Sequence, residues 1–282
     1  MYRILEKEVL SEVNKLLVVD APEVARKAEA GQFVIVRVDE KGERIPLTIA
    51  DLDRDQGTIT IVFQEVGKST MQLGTLQQGD DLAGFVGPLG HATEIENYGV
   101  VLCVGGGVGI APIYPIARAL KEAGNTVLGI IGARTRDLLF WENKMGSVCD
   151  ELVVCTDDGT YGRMALVTQP MQEILSSRDD VERVWAIGPA IMMKFCARTT
   201  EPFSTPTIVS LNSIMVDGTG MCGACRVTVG GQTKFVCVDG PEFDGHQVDW
   251  DLLMARQRIY LDEEKRAKEH WHQEHSCRAV EG

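Results

Sequence analysis

The stretch Val100 to Ile113, VVLCVGGGVGIAPI, limits the possible folds more than any other part of the chain. Its five leading apolar residues have no polar break. Such a strand is covered on both faces, as strands of parallel sheets are. Gly105, Gly106, Gly107 and Gly109 follow at once, and a helical stretch runs on from them. Glycine lets the backbone turn sharply and lets a ligand approach main-chain N–H groups. A helix starting there turns its positive end toward a diphosphate. The dinucleotide fingerprint G-x-G-x-x-G is not met, because its third glycine position holds Ile110. A tight strand-to-helix turn with no ligand is the plain alternative.

The same order recurs downstream. TVLGIIGARTRDLLFWENKMG reads as strand, loop and helix, ELVVCTDD as strand and loop, and VERVWAIGPAIMMKFC as strand, loop and helix. Alternating strands and helices of this kind make a parallel α/β sheet. Before residue 99 the pattern differs. GQFVIVRV, GTITIVFQEV and GDDLAGFVGPLG are short strands parted by turn residues, the mark of a small antiparallel β-barrel. The expected division is a barrel over 1–98, an α/β domain over 99–205, a short cysteine-bearing hairpin unit over 206–248, and a C-terminal helix and tail over 249–282.

Charge and cysteine usage narrow the class. The formal net charge of -13 over 282 residues argues against nucleic acid and against an anionic membrane surface as partners. No apolar run approaches the roughly 20 residues needed to span a bilayer. The start, MYRILEKEVLSEVNK, lacks the apolar core of a secretory signal. A cytoplasmic protein is expected, with its eight cysteines as thiols, metal ligands or redox groups. Cys103, Cys149, Cys155 and Cys196 stand singly and read as small buried hydrophobes.

The other informative thiols lie in VDGTGMCGACRV and just beyond it. The spacing is Asp217-x4-Cys222-x2-Cys225-x11-Cys237. Plant-type [2Fe-2S] loops run Cys-x4-Cys-x2-Cys and then a distant Cys. Three of the four positions match, and the first holds aspartate. A structural zinc site, a redox dithiol and idle thiols are the alternatives. Zinc ribbons bring a second Cys-x-x-Cys, which is absent. A redox dithiol opens a helix, whereas this loop leads into the strand CRVTVGG.

A barrel, then an α/β domain with Gly107, Gly109 and Pro112 in its first loop and Gly188, Pro189, Met192 and Met193 in a late one, resembles the ferredoxin–NADP reductase superfamily. The resemblance implies FAD on the barrel and NAD(P) on the α/β domain. It puts Thr48 beside the flavin, with Pro46 and Leu47 where the family has an arginine-led aromatic stretch. Arg44 is one position out of that pattern. Gly67, Lys68, Ser69 and Thr70 would meet the flavin pyrophosphate. VGKST ends like a nucleotide-triphosphate loop but lacks the required earlier glycine, since Val62 is there.

Adding the cysteine loop, the chain resembles the electron-transfer subunit of dihydroorotate dehydrogenase. With Asp217, RIPLT, VGKST and VCVDGPEF it looks closer still to the small subunit of NADH-dependent reduced ferredoxin:NADP oxidoreductase. The resemblance covers nearly the whole chain, to about residue 265. It implies Asp217, Cys222, Cys225 and Cys237 as cluster ligands and hydride exchange with NAD(H). It also implies a large partner subunit with its own FAD and [4Fe-4S] clusters, working in flavin-based electron bifurcation. A dihydroorotate dehydrogenase subunit is the runner-up and would carry Cys at 217. A non-catalytic, zinc-stabilised binding module is the competitor from another class. Arg134 and Arg136 follow the second α/β strand and could meet a 2′-phosphate; NADH is preferred on the resemblance alone.

The tail DLLMARQRIYLDEEKRAKEHWHQEHSC reads as one long helix, with Trp250, Leu253 and Met254 on its apolar side. His270, His272, His275 and Cys277 could form a metal cluster, but a solvated tail is the plainer reading.

Overall fold

A computed structural model describes residues 2–278, with side chains described through residue 273. The first seven strands are β1 (Tyr2–Val9), β2 (Asn14–Asp20), β3 (Phe33–Arg37), β4 (Ile45–Asp53), β5 (Thr58–Gln64), β6 (Asp81–Leu82) and β7 (Gly84–Leu89). Helix α1 (Pro22–Ala25) and helix α2 (Lys68–Thr75) lie in their connections. The strand order is β6-β1-β2-β5-β4-β3-β7. Only Ala83 separates β6 from β7, so the two outer edges meet and the antiparallel sheet curls into a barrel. Alternation sends Leu17, Val19, Ile59, Ile61 and Phe63 into the barrel core. It leaves Leu16, Ala50 and Val62 outside, where they pack on the next domain.

That domain runs β8 (Val100–Gly106), α3 (Ile110–Glu122), β9 (Thr126–Ala133), α4 (Glu142–Gly146), β10 (Glu151–Thr156), β11 (Arg163–Met164), α5 (Thr168–Ser177), β12 (Val181–Ile187), α6 (Ala190–Thr200) and β13 (Thr207–Ser210). Val101 and Cys103 of β8 face α3, while Leu102 and Val104 share a core with residues of α5 and α6. Helices on both faces explain why the strand sequence has no polar break.

Two expectations are corrected. The sheet does not end at residue 205, because β13 pairs in parallel with β12. After the hairpin β14 (Arg226–Val229) and β15 (Gln232–Phe235) and the short helix α7 (Val236–Asp239), strand β16 (Glu242–Asp244) pairs antiparallel with β13. The cysteine-bearing region is therefore an insertion between the last two strands of the α/β sheet. Strands of three and four residues carry too little periodicity to be read beforehand. The tail, too, is not one helix. Helix α8 (Trp250–Gln257) ends at Arg258, and α9 (Leu261–Arg278) restarts with Asp262, Glu263 and Glu264 in its first turn. Carboxylates there are stabilised by the positive end of a helix start. Trp250 and Leu253 are buried beside Val227, Val236 and Cys237, so α8 packs on the cysteine region. The side chains of His275 and Cys277 lie outside the described residues. Among the described residues no helix is long and apolar enough to cross a membrane.

The barrel and the sheet are joined by charge as well as packing. Asp51 on β4 accepts from Arg118 of α3 at 2.7 Å and from Lys144 of α4 at 2.6 Å. Burial pushes the Asp51 carboxyl up, but the hydrogen bond and charge of Lys144 and the charge of Arg118 outweigh it and hold it below the ordinary carboxylate range. Lys144 also lies 4.1 Å from the Trp141 ring centroid and 4.4 Å from that of Tyr114.

A second junction is Glu242 on β16. Its Oε1 accepts from the Thr93 hydroxyl at 2.7 Å, in the segment linking barrel to sheet. The Trp185 indole N–H lies close to this carboxyl but outside hydrogen-bond geometry. Burial, only partly offset by these neighbours, raises the Glu242 carboxyl to about 7. Below about pH 4.5 the group is protonated in both folded and unfolded chains and contributes nothing. Between there and about pH 7 the unfolded chain loses its proton first, so stability falls as pH rises. Glu242→Gln, which keeps an acceptor for Thr93, is expected to be more stable than the wild type at pH 8, by on the order of 3 kcal/mol, and equal to it near pH 4. Urea midpoints at the two pH values check this; a variant weaker at pH 8 would contradict it.

Candidate functional site

Strands β8 and β12 are neighbours, and their chains turn away to opposite faces of the sheet. A crevice opens at their carboxyl ends, where ligands bind in doubly wound sheets. Here it deepens into a cavity of about 1040 Å³ against the barrel. From the α/β side come Gly107, Gly109, Pro112, Arg134, Gly188 and Pro189; from the barrel come Pro46, Leu47, Thr48 and Thr70. Residues chosen from distant parts of the sequence thus line one cavity.

The local chemistry follows from the backbone. Residues 107–109 make a single 3-10 turn that runs straight into α3. Gly109 passes so close to β12 that a Cβ there would sit 2.2 Å from the Ile187 carbonyl oxygen, while one on Gly107 would meet nothing within 4 Å. The first glycine closes the strand-helix packing; the second leaves the approach open. Helix α3 has no side-chain cap, and neither has α6, whose N-cap is Pro189. Two helix starts without a side-chain cap therefore border one cavity, and their positive ends suit a diphosphate. At α3 the Ile110 N–H is already bonded within the 3-10 turn, and Pro112 has none to offer.

Arg134 lines the cavity, as does Asp157, whose carboxyl is raised by burial and held back by the Arg134 charge. Arg136 is turned away, 5.0 Å from the Tyr161 ring centroid. On the barrel side Thr70 Oγ1 accepts from the Val66 and Gly67 N–H groups at 3.1 Å each, ordering the start of α2. Gly67, Lys68 and Ser69 are not on the cavity wall, and the Ser69 hydroxyl is bonded to Glu43. Asn14, Gln64, Ser210, Asn212 and Met215 line the cavity without having been singled out from sequence. They are lone residues at strand ends and in loops, and only the fold brings them together.

Beyond Met215 the cysteine loop begins. Cys225 and Cys237 are buried, with their Sγ atoms 3.2 Å apart. Burial first, then the neighbouring Cys225, pushes the Cys237 thiol up to about 12. Cys222 is exposed at the rim, and backbone N–H groups led by that of Ala224 lower its thiol. Asp217 is held below the ordinary range by the Thr219 side chain and backbone, with the Arg44 charge adding to this. The loop is braced from two sides. A Cβ on Gly218, whose φ is +82°, would lie 2.7 Å from Ile35 of the barrel. From α8, Arg256 donates to the Ala224 carbonyl at 3.2 Å and Gln257 to Asn212 at 2.9 Å.

Among the described residues, no three His, Cys, Asp or Glu side chains converge on a single ion. A two-iron cluster asks for something else, two ligand pairs side by side. Cys225 with Cys237 forms one such pair, and Asp217 with Cys222 lies at the rim. Two buried sulfurs in contact, with the Cys237 thiol costly to ionise alone, fit a group that supplies positive charge between them. Cys103 and Cys196 are raised by burial and Cys155 chiefly so; all three are fully enclosed, as small core residues.

Barrel, doubly wound sheet and the cavity between them define a two-domain reductase of the ferredoxin-reductase type, carrying an iron–sulfur binding insertion. Residues 212–249 match the family model described as the iron-sulfur cluster binding domain of dihydroorotate dehydrogenase B. A protein of Thermotoga maritima, named dihydroorotate dehydrogenase B (NAD(+)) electron transfer subunit homolog, is 53% identical over 247 residues, 88% of this chain and 87% of its own. The dihydroorotate dehydrogenase B (NAD(+)) electron transfer subunit of Geobacillus thermodenitrificans is 33% identical over 87% of this chain and 96% of its own. A solved structure, described as giving insight into flavin-based electron bifurcation in NADH-dependent reduced ferredoxin-NADP oxidoreductase, is 49% identical. It covers 96% of this chain and 98% of its own, with a TM-score of 0.91. The chain belongs to the family of dihydroorotate dehydrogenase B electron transfer subunits and their homologues.

The thiol environments order reactivity. Limited alkylation of the iron-free chain should modify Cys222 well before Cys225 and Cys237, and Cys103 and Cys196 last, read by peptide mass spectrometry. Equal rates at Cys222 and Cys196 would contradict the arrangement.

Proposed function

We propose that the chain is an FAD- and [2Fe-2S]-carrying subunit that takes hydride from NADH and passes single electrons to a larger partner subunit. The observation that carries this reading is the shared cavity, in which the barrel residues Pro46, Leu47 and Thr48 face Gly107, Gly109 and Pro112. When bound, the flavin would supply the change from a hydride pair to single electrons, and the cluster a relay for them.

The protein's own part is to bind and orient. Thr48 offers a hydroxyl to the flavin ring edge and Leu47 an apolar surface. Thr70, in the first turn of α2, takes the pyrophosphate end. The uncapped starts of α3 and α6, with Gly188 and Pro189, take the nicotinamide dinucleotide. Asp157 beside Arg134 favours NADH over NADPH, since a carboxylate accepts from a 2′-hydroxyl and repels a 2′-phosphate. Asp217, Cys222, Cys225 and Cys237 hold the cluster, paired as Asp217 with Cys222 and Cys225 with Cys237.

The partner proposed is a large subunit with its own FAD and [4Fe-4S] clusters, coupling NADH, ferredoxin and NADP by electron bifurcation. The near-complete match to the bifurcating oxidoreductase structure supports it. A dihydroorotate-oxidising partner is the second reading, favoured by the names of the relatives at 33% identity. Co-purification from the native host decides between them by the cofactors of the large chain.

Two measurements test the subunit itself. The purified chain should show flavin bands with broad iron–sulfur absorption and bleach faster with NADH than with NADPH; a colourless, zinc-containing protein would sink the reading. Asp217→Cys should keep the cluster and lower its potential, because thiolate donates more electron density than carboxylate. If Asp217→Ala leaves iron content, EPR signal and potential unchanged, Asp217 is not a ligand.

A further inference from the structure

Asn14 begins β2 on the side of the barrel that faces the glycine loop. It is 1% exposed, and its Oδ1 is buried with no hydrogen-bond partner. The local turn does not depend on its side chain. The Asn14 backbone N–H donates to Ser11 Oγ at 3.0 Å, and its carbonyl accepts from the N–H groups of Leu10 and Ser11. Buried amides are almost always satisfied in native folds, so an orphan oxygen marks a group that is waiting for a partner.

The surroundings say where that partner comes from. Asn14 pairs with Gln64 across the β2–β5 ladder, and both line the large cavity. Two residues further along the same face, Leu16 and Val62 pack into the core shared with α3. The carboxamide therefore sits at the seam between barrel and α/β domain, in the cavity that Thr48 and Gly107 also line. The amide torsion of asparagine is soft, so the carboxamide can turn to meet a donor in the cavity that Asn14 lines.

We propose that Asn14 is a ligand-holding residue of this cavity, its carboxamide oxygen accepting a hydrogen bond from a sugar hydroxyl of the bound dinucleotide. The inference rests on the reading that the cavity holds FAD and NADH. Both molecules carry hydroxyl-bearing chains between ring and diphosphate, so the shared chemistry is a sugar O–H donor. The two sources are separated by measurement.

Asn14→Leu keeps the volume and removes the polar atoms, and Asn14→Ser keeps a small acceptor. Each is made in the full chain. Three quantities are measured: the melting temperature of the flavin-free protein, the FAD dissociation constant by fluorescence quenching, and the NADH dissociation constant of the flavin-loaded protein. Flavin-free Asn14→Leu should melt no lower than the wild type, since it removes an unpaired buried group. One of the two dissociation constants should rise about tenfold, with a smaller rise in Asn14→Ser. A rise for FAD assigns the ribityl chain or the adenosine ribose; a rise for NADH assigns a ribose of the nicotinamide dinucleotide. If Asn14→Leu does not fold, Asn14→Ser carries the comparison. Unchanged constants beside a wild type that binds both molecules overturn this inference alone. A wild type that binds neither overturns the reading beneath it.

Discussion

The whole arrangement depends on β8 and β12 lying side by side in parallel. That pairing sends α3 to one face of the sheet and α6 to the other. Their uncapped N-terminal turns are left at the same edge. Every other part of the site is placed relative to this edge. The barrel supplies the facing wall, and Asp51, gripped by Arg118 and Lys144, ties that wall to α3 and α4. A partly buried carboxylate with two cations is a poor source of net stability but a strong constraint on geometry. Hydride transfer needs reacting groups held in contact and aligned, so a fixed seam between the domains is what such a site requires.

The cysteine region belongs to this same construction. Its Cys225, Val227, Val236 and Cys237 share one apolar core with α5, α6 and α8, and Phe33 and Ile35 of the barrel reach the same core. Gly218 lies against Ile35, so the loop of the proposed cluster rests on the strand next to the one bearing Thr48. Packing alone therefore brings the wall proposed for the flavin and the cysteine loop into contact. The short path suits electron transfer within one chain.

Much of this was legible in the sequence because long segments have strong periods. The unbroken apolar run at Val100–Val104 announces a strand covered on both sides, and the spacing of Cys222, Cys225 and Cys237 announces a loop of defined size. What escaped has a physical reason in each case. Strands β13 and β16 are too short for any period to stand out, so the sheet seemed to end early. The break at Arg258 is set by where the Trp250 and Leu253 contacts stop, and that depends on tertiary neighbours. Asn14 carries no motif; its meaning comes from being enclosed without a partner. Lys68 and Ser69 sat in a suggestive string, yet the helix geometry turns them from the cavity wall.

The insertion between β13 and β16 leaves the sheet and returns at almost one point, where the Leu211 N–H donates to the Pro241 carbonyl at 2.9 Å. In topology it is a cassette that can be cut out and the ends rejoined without disturbing strand order. In packing it is not, because α8, which follows it in the chain, carries Trp250 and Leu253 into its core. A graft of this cluster loop onto another reductase would have to bring that helix with it. The unit that can be transplanted between relatives is thus longer than the cysteine motif, and it ends where α8 ends, at Gln257.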